Sequence, residues 1–87
     1  VVIVTGGSRG VGRGITEGLA GLGARIVIGD VRVEEGESVV RGLGARARFA
    51  PLDVAREDDW ARIVRETEAR EGRIDALVNN AAALHIG

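Results

Sequence analysis

The chain has 87 residues, 45% of them apolar and 29% charged, the composition of at most one small globular domain rather than of a disordered tail or coiled coil. A net charge of −1 from 12 basic and 13 acidic residues argues against the clustered basic face of a nucleic-acid binder. All the basic residues are Arg, and Lys, Tyr and Cys are absent, so there is no Schiff-base or P-loop lysine, no tyrosine acid, no disulfide and no thiol chemistry. No apolar run approaches the roughly 20 residues of a membrane span. Val1 opens straight into an apolar run without a charged leader, and the stretch up to Gly87 carries no helical pattern. The expectation is a fragment of a cytoplasmic protein.

Val1-Val2-Ile3-Val4 is a β-branched run closed by Thr5-Gly6-Gly7 and reads as a buried parallel strand. Val11, Ile15, Leu19 and Leu22 then recur at helical spacing, with Gly23 as the stop. Arg25 to Gly29 is a second buried strand that ends at Asp30. Val33 to Leu43 reads as a helix with Val39, Val40 and Leu43 inward and Gly44 as its stop, followed by a weaker strand from Arg46 to Ala50. Glu57 to Glu71 is the strongest helix: Trp60, Ile63, Val64 and Thr67 form one face, and three acids fill the first turn, where the helix dipole favours them. Gly72 stops it, and Ile74 to Val78 is the fourth strand, interrupted by Asp75. Strands alternating with helices indicate βαβ units, and right-handed crossovers put helices on both faces. The expected architecture is α/β: a β-α-β-α-β-α-β half of a doubly wound parallel sheet, with its fourth strand exposed along an edge.

The segment Thr5-Gly6-Gly7-Ser8-Arg9-Gly10-Val11-Gly12 lies between the first strand and the first helix. Backbone N–H groups and a helix N-terminus can hold a phosphate there, and glycines let the backbone approach it. Gly14 and Gly18, within the helix, point to close packing on the sheet; Gly21 has no such account. Asp30 follows Gly12 by 18 residues at the carboxyl end of strand two. A carboxylate there accepts hydrogen bonds from the ribose hydroxyls of an adenosine and repels a 2′-phosphate, so it selects NAD over NADP. The alternative is a solvated turn or a helix anchor. Arg9 acts in the opposite sense, because its guanidinium could pair with a 2′-phosphate; the charge on Asp30 is expected to dominate.

Thr5-Gly6-x-x-x-Gly10-x-Gly12, then Leu52-Asp53-Val54, then Asn79-Asn80-Ala81 together resemble the short-chain dehydrogenase/reductase family, whose fold is Rossmann-like. The wording is most similar to its bacterial hydroxysteroid dehydrogenase branch, of the 3α,20β type, and more loosely to 3-oxoacyl-carrier-protein reductases. The resemblance implies that Gly6, Ser8, Arg9, Gly10, Val11 and Gly12 line the pyrophosphate and adenosine ribose and that Asp30 holds that ribose. Asp53 would accept from the adenine amino group, with Val54 beside it. Asn80, Ala81 and Ala82 would approach the nicotinamide-side ribose, while Asn79 braces the sheet. Asp53 also fits a helix-leading cap. Two departures stand out: Ala82 where the family has Gly, and Ala55 where a capping Ser or Thr is expected.

The resemblance implies catalysis by a Ser and a Tyr-x-x-x-Lys pair, and the chain contains no Tyr or Lys. Residues 1–87 therefore read as the dinucleotide-binding half of an NAD-dependent enzyme interconverting a secondary alcohol and a ketone, inactive alone and homo-oligomeric when complete. The substrate would be a small-molecule alcohol or ketone, steroid-like in class, with no nucleic-acid or membrane partner. The alternatives are an NADPH-dependent 3-oxoacyl-carrier-protein reductase, a SAM-dependent methyltransferase and a non-catalytic nucleotide-binding module. His85 is better read as a solvated or packed loop residue than as an acid, Trp60 as core packing, and Glu34, Glu35 and Glu37 as a solvated helix start. No carboxylate and histidine set has metal spacing.

Overall fold

The computed structural model describes residues 1–80. Four parallel strands, β1 (Val2–Thr5), β2 (Ile26–Asp30), β3 (Ala47–Pro51) and β4 (Ala76–Asn79), form one sheet in the order β3-β2-β1-β4. Three helices connect them: α1 (Gly10–Gly21), α2 (Val33–Leu43) and α3 (Glu57–Glu71), with a short 3-10 turn at Gly44–Arg46 before β3. The chain steps outward from β1 to β3 and then returns across the sheet to place β4 on the other side of β1. That reversal is a topological switch point, and ligands of open α/β sheets bind beyond the strand ends there.

The apolar runs are two-sided because both faces are covered. Ile3 and Val27 face Ala50, Leu52 and Ile63, with Trp60 and Ile74 packed against them, so this layer lies under α3. Val4, Ile26 and Ile28 face the opposite way and meet Val39 with Leu19, Val40, Leu43 and Phe49, the layer under α1 and α2. Each fully buried Val or Ile contributes about 1.5–3 kcal/mol relative to exposure, which explains the near-continuous β-branched composition of β1 and β2. All three helix stops expected at glycine are present: Gly23 has φ 92°, Gly44 has φ 79° and Gly72 has φ 89°, the last closing α3 by donating its N–H to Glu68 O at 3.0 Å.

Strand limits differ from expectation by one or two residues. β2 extends to Asp30, whose partner is Pro51 on the edge strand β3, and β4 begins after Asp75 rather than including it. Proline is tolerated at an edge because the N–H it lacks would face away from the neighbour. β4 is an edge strand with Ala76, Leu77 and Asn79 exposed. Among the described residues no helix is long and apolar enough to cross a membrane.

The face of α1 is the larger correction. Val11 and Leu22 are exposed, while Gly12 and Thr16 are buried and Ile15 and Leu19 are half-buried. The helix therefore turns Gly12 and Thr16 inward, with Leu19 and Ala20 packed on the core beside them. Gly14 and Gly18 are not at that contact, since a Cβ at either would meet nothing within 4 Å. Gly18→Ala is accordingly expected to raise stability by about 0.5–1 kcal/mol, through lower chain entropy in the unfolded state and higher helix propensity. Urea denaturation of the two proteins checks this, and a loss of stability would mean that the glycine faces a neighbour after all.

Candidate functional site

The carboxyl ends of all four strands meet at one end of the sheet. The chain leaves β1 at Gly6, in a left-handed conformation with φ 67°, while its N–H still donates to Gly29 O of β2 at 2.8 Å. It enters α1 at Gly10, also left-handed with φ 53°. The N-terminus of α1 has no side-chain cap and no acidic residue in its first turn. Its orphan N–H groups and positive dipole end are therefore left without a side-chain acceptor, the arrangement that suits an anion.

Gly12 fixes the turn. A Cβ there would lie 2.1 Å from Gly6 O and 2.4 Å from Asn80 Nδ2. Asn80, beyond the end of β4, donates from Nδ2 to Gly6 O at 3.4 Å, which joins two of the expected motifs directly. One residue earlier, the Thr5 hydroxyl donates to Asn79 Oδ1 at 3.0 Å, so Asn79 braces β1 against β4 as expected. Val11 lies exposed on the first turn of α1.

Asp30 is the buried acid of the site, 4% exposed. Its Oδ2 accepts from the Ser8 hydroxyl and from Ser8 N at 3.4 Å, and its Oδ1 accepts from Arg32 N at 3.1 Å and Arg32 Nη1 at 3.2 Å. Burial by itself pushes the Asp30 carboxyl up; the donors from Ser8 and Arg32, with the Arg32 charge, outweigh it and hold the pKa below the ordinary carboxylate value. Asp30 is thus a buried anion tied to the glycine turn rather than a solvated residue, and by accepting from Arg32 N at the cap position of α2 it also closes the turn that leads into that helix. Its four donors come from flexible as well as rigid groups. The Ser8 hydroxyl can rotate and the Arg32 guanidinium is part-exposed, so hydroxyl donors of a ligand could take their places.

Arg9 does not approach Asp30 as a donor. Its Nε and Nη2 clasp both oxygens of Glu35, at 2.6 and 2.9 Å. This fork raises the Arg9 pKa and lowers that of Glu35, in each case chiefly through the shared hydrogen bonds. Glu35 sits in the first turn of α2, and sequence spacing gave no sign that it would meet residue 9. The parallel pairing of β1 with β2 brings the start of α2 beside the glycine turn.

Asp53 follows Leu52, whose N–H donates to Asp30 O at 3.1 Å. The Asp53 side chain accepts from Ala55 N at 3.0 Å, closing a turn ahead of α3 without capping the helix, and its own N–H is held by Asp59 Oδ2 at 2.8 Å. That N–H is the main reason the Asp59 pKa lies low. Val54 packs on the core beside Trp60 and accepts Trp60 Nε1 at 2.8 Å, so Trp60 is a packing residue. The cap position of α3 is Arg56, one residue beyond Ala55. Ala81, Ala82 and His85 lie outside the described residues. No group of three or more His, Cys, Asp or Glu among the described residues could hold a metal ion.

The model of the short chain dehydrogenase family matches residues 1–87. The chain belongs to the short-chain dehydrogenase family. Among similar short-chain dehydrogenases, the 2,5-dichloro-2,5-cyclohexadiene-1,4-diol dehydrogenase of Sphingobium indicum is 40% identical over 86 residues, 99% of this chain and 34% of that protein. The 3-alpha-(or 20-beta)-hydroxysteroid dehydrogenase of Mycobacterium tuberculosis is 38% identical over 87 residues, 100% of this chain and 34% of the relative. A crystal structure of a short chain dehydrogenase from Bacillus anthracis superposes with a TM-score of 0.88 at 36% identity, covering 93% of this chain and 34% of that one. This short-chain dehydrogenase chain spans about a third of the length of the relatives it matches.

Proposed function

We propose that residues 1–87 form the dinucleotide-binding half of an NAD-dependent oxidoreductase that interconverts a secondary alcohol and a ketone, of hydroxysteroid-like substrate class. The observation that carries this reading is the buried Asp30 carboxylate, tied to Ser8 of a glycine turn whose helix N-terminus has no side-chain cap. An anion-binding turn beside a fixed acceptor fits a pyrophosphate followed by a ribose. A bound nicotinamide dinucleotide supplies the hydride chemistry. The residues of this chain bind and orient it: Gly6, Ser8, Arg9, Gly10, Val11 and Gly12 at the phosphates and adenosine ribose, Asp30 at its hydroxyls, Asp53 and Val54 at adenine, and Asn80, Ala81 and Ala82 toward the nicotinamide side. Without Tyr or Lys the chain alone has no family acid for the substrate oxygen and is inactive by itself.

The pair Arg9 and Arg32 beside Asp30 favours one competing reading, an NADPH-dependent 3-oxoacyl-carrier-protein reductase. Calorimetric titration of the intact polypeptide with NAD⁺ and NADP⁺ separates the two. NAD⁺ is expected to bind more tightly, and Asp30→Ala to weaken NAD⁺ by about tenfold or more, the loss of charge-assisted hydrogen bonds. Unchanged NAD⁺ to NADP⁺ preference in Asp30→Ala would defeat the assignment of Asp30.

A further inference from the structure

Resting on the cofactor reading above, we infer that Glu35 is a specificity-determining residue: by occupying the Arg9 guanidinium it closes the site to a 2′-phosphorylated adenosine. Asp30 alone is poorly placed to do so. Its carboxylate is already surrounded by donors, and the Arg32 guanidinium lies on it at 3.2 Å, so much of its charge is answered from within the protein. Two guanidinium groups, Arg9 and Arg32, stand against the one carboxylate of Asp30. Counting those three alone, the mouth of the site has a surplus positive charge and a planar fork suited to phosphate.

Glu35 removes both features. It takes the Nε and Nη2 edge of Arg9, the bidentate edge a phosphate would use, at 2.6 and 2.9 Å. It also brings the four side chains to electrical balance. A phosphate seeking that edge of Arg9 must displace the carboxylate that holds it, and one approaching from the Nη1 side would still lie beside the Glu35 charge. A ribose hydroxyl has no such conflict, because it is neutral and is directed to Asp30. Discrimination is thus divided between an acceptor for the hydroxyls and a carboxylate that disarms the nearest cation, the repulsive element that specificity requires. A plain helix-start role for Glu35 would give α2 a favourable dipole contact without any bearing on which dinucleotide binds.

The test is a double-mutant cycle on the intact polypeptide. Dissociation constants for NAD⁺ and NADP⁺ are measured by calorimetry at low ionic strength for the wild type, Glu35→Gln, Arg9→Gln and the double variant. Adenosine 2′,5′-bisphosphate serves as a probe that lacks the nicotinamide. Glu35→Gln is expected to shift the NADP⁺ to NAD⁺ ratio toward NADP⁺ by about fivefold or more, within the range for coupled charged neighbours, and to tighten the bisphosphate in parallel. In the Arg9→Gln background the same change is expected to have no effect on the ratio. A ratio unmoved by Glu35→Gln, or moved equally without Arg9, overturns the inference while leaving the cofactor reading intact. A wild type that binds neither dinucleotide overturns the cofactor reading and this inference with it. Glu35→Ala is the second carboxylate-free variant should the glutamine protein fold poorly.

Discussion

Gly12→Ala is expected to cost at least about 3 kcal/mol of stability, the upper part of the range for overpacked sites, and to abolish dinucleotide binding. The added methyl would stand 2.1 Å from a backbone oxygen, Gly6 O, and 2.4 Å from Asn80 Nδ2. The side-chain amide could rotate away. The carbonyl could not follow, because Gly6 is pinned on its other side by its N–H bond to Gly29 O of β2 at 2.8 Å. Relief would require α1 to lift from the sheet, and its buried contact there is made by Gly12 and Thr16. Against a total stability of about 5–15 kcal/mol for a small domain, such a loss removes much of the folding equilibrium. Urea denaturation gives the first number and titration with NAD⁺ the second. The comparison with Gly18→Ala on the same helix isolates the cause, since both add one methyl to a helical glycine and only one of them meets the turn. A Gly12→Ala protein within about 1 kcal/mol of wild type would show that the turn yields, and the close approach would then lose its structural meaning.

The carboxyl end of the sheet is legible in the sequence to different depths, for reasons that differ by residue. The βαβ order and parallel pairing follow from period and punctuation: β-branched runs of four or five residues, helices ended by Gly44 and Gly72, and acids at the start of α3. Asp30 was found because its position depends on local features, the end of a strand a fixed distance past the glycine turn. Its burial and four donors were not visible, because Ser8 is remote in sequence and Arg32 was unremarkable among many arginines. The face of α1 was misread for a physical reason. The apolar spacing of Val11, Ile15, Leu19 and Leu22 marks one stripe, yet the fully buried positions are Gly12, which passes too close to Gly6 O for any side chain, and Thr16, whose hydroxyl is satisfied by donating to Gly12 O. Glu35 reads in the sequence only as part of a solvated helix start, without its bond to Arg9. Three acids within the first turns of a helix look like solvation, and only the adjacency of β1 and β2 singles out the one that meets Arg9.

Gly36→Ala is expected to destabilise the protein by about 1–3 kcal/mol and to loosen the Arg9–Glu35 fork at the same time. Gly36 is the buried residue of the first turns of α2, and a Cβ there would come within 2.1 Å of Phe49 Cε1 and 2.2 Å of Phe49 Cδ1. Phe49 stands on β3, half-buried in the layer beneath α2, so the helix rests against the Cδ1–Cε1 side of that ring. An aromatic side chain yields more readily than backbone, which places the cost below that of Gly12→Ala. The contact can also be relieved by design. Phe49→Leu withdraws the ring, so the double variant should recover part of the stability lost in Gly36→Ala, although Phe49→Leu alone loses burial. Glu35 is the neighbouring residue on the helix, and its carboxylate reaches Arg9 only when α2 is seated at this height. A lifted helix in Gly36→Ala should therefore shift dinucleotide preference in the same direction as Glu35→Gln, and Phe49→Leu should reverse the shift together with the stability. Denaturation and paired titrations of the single and double variants test both halves. Recovery of stability without recovery of preference would separate the seat of α2 from the charge balance at Arg9, and would show that the ion pair is held by the turn and not by the packing of the helix.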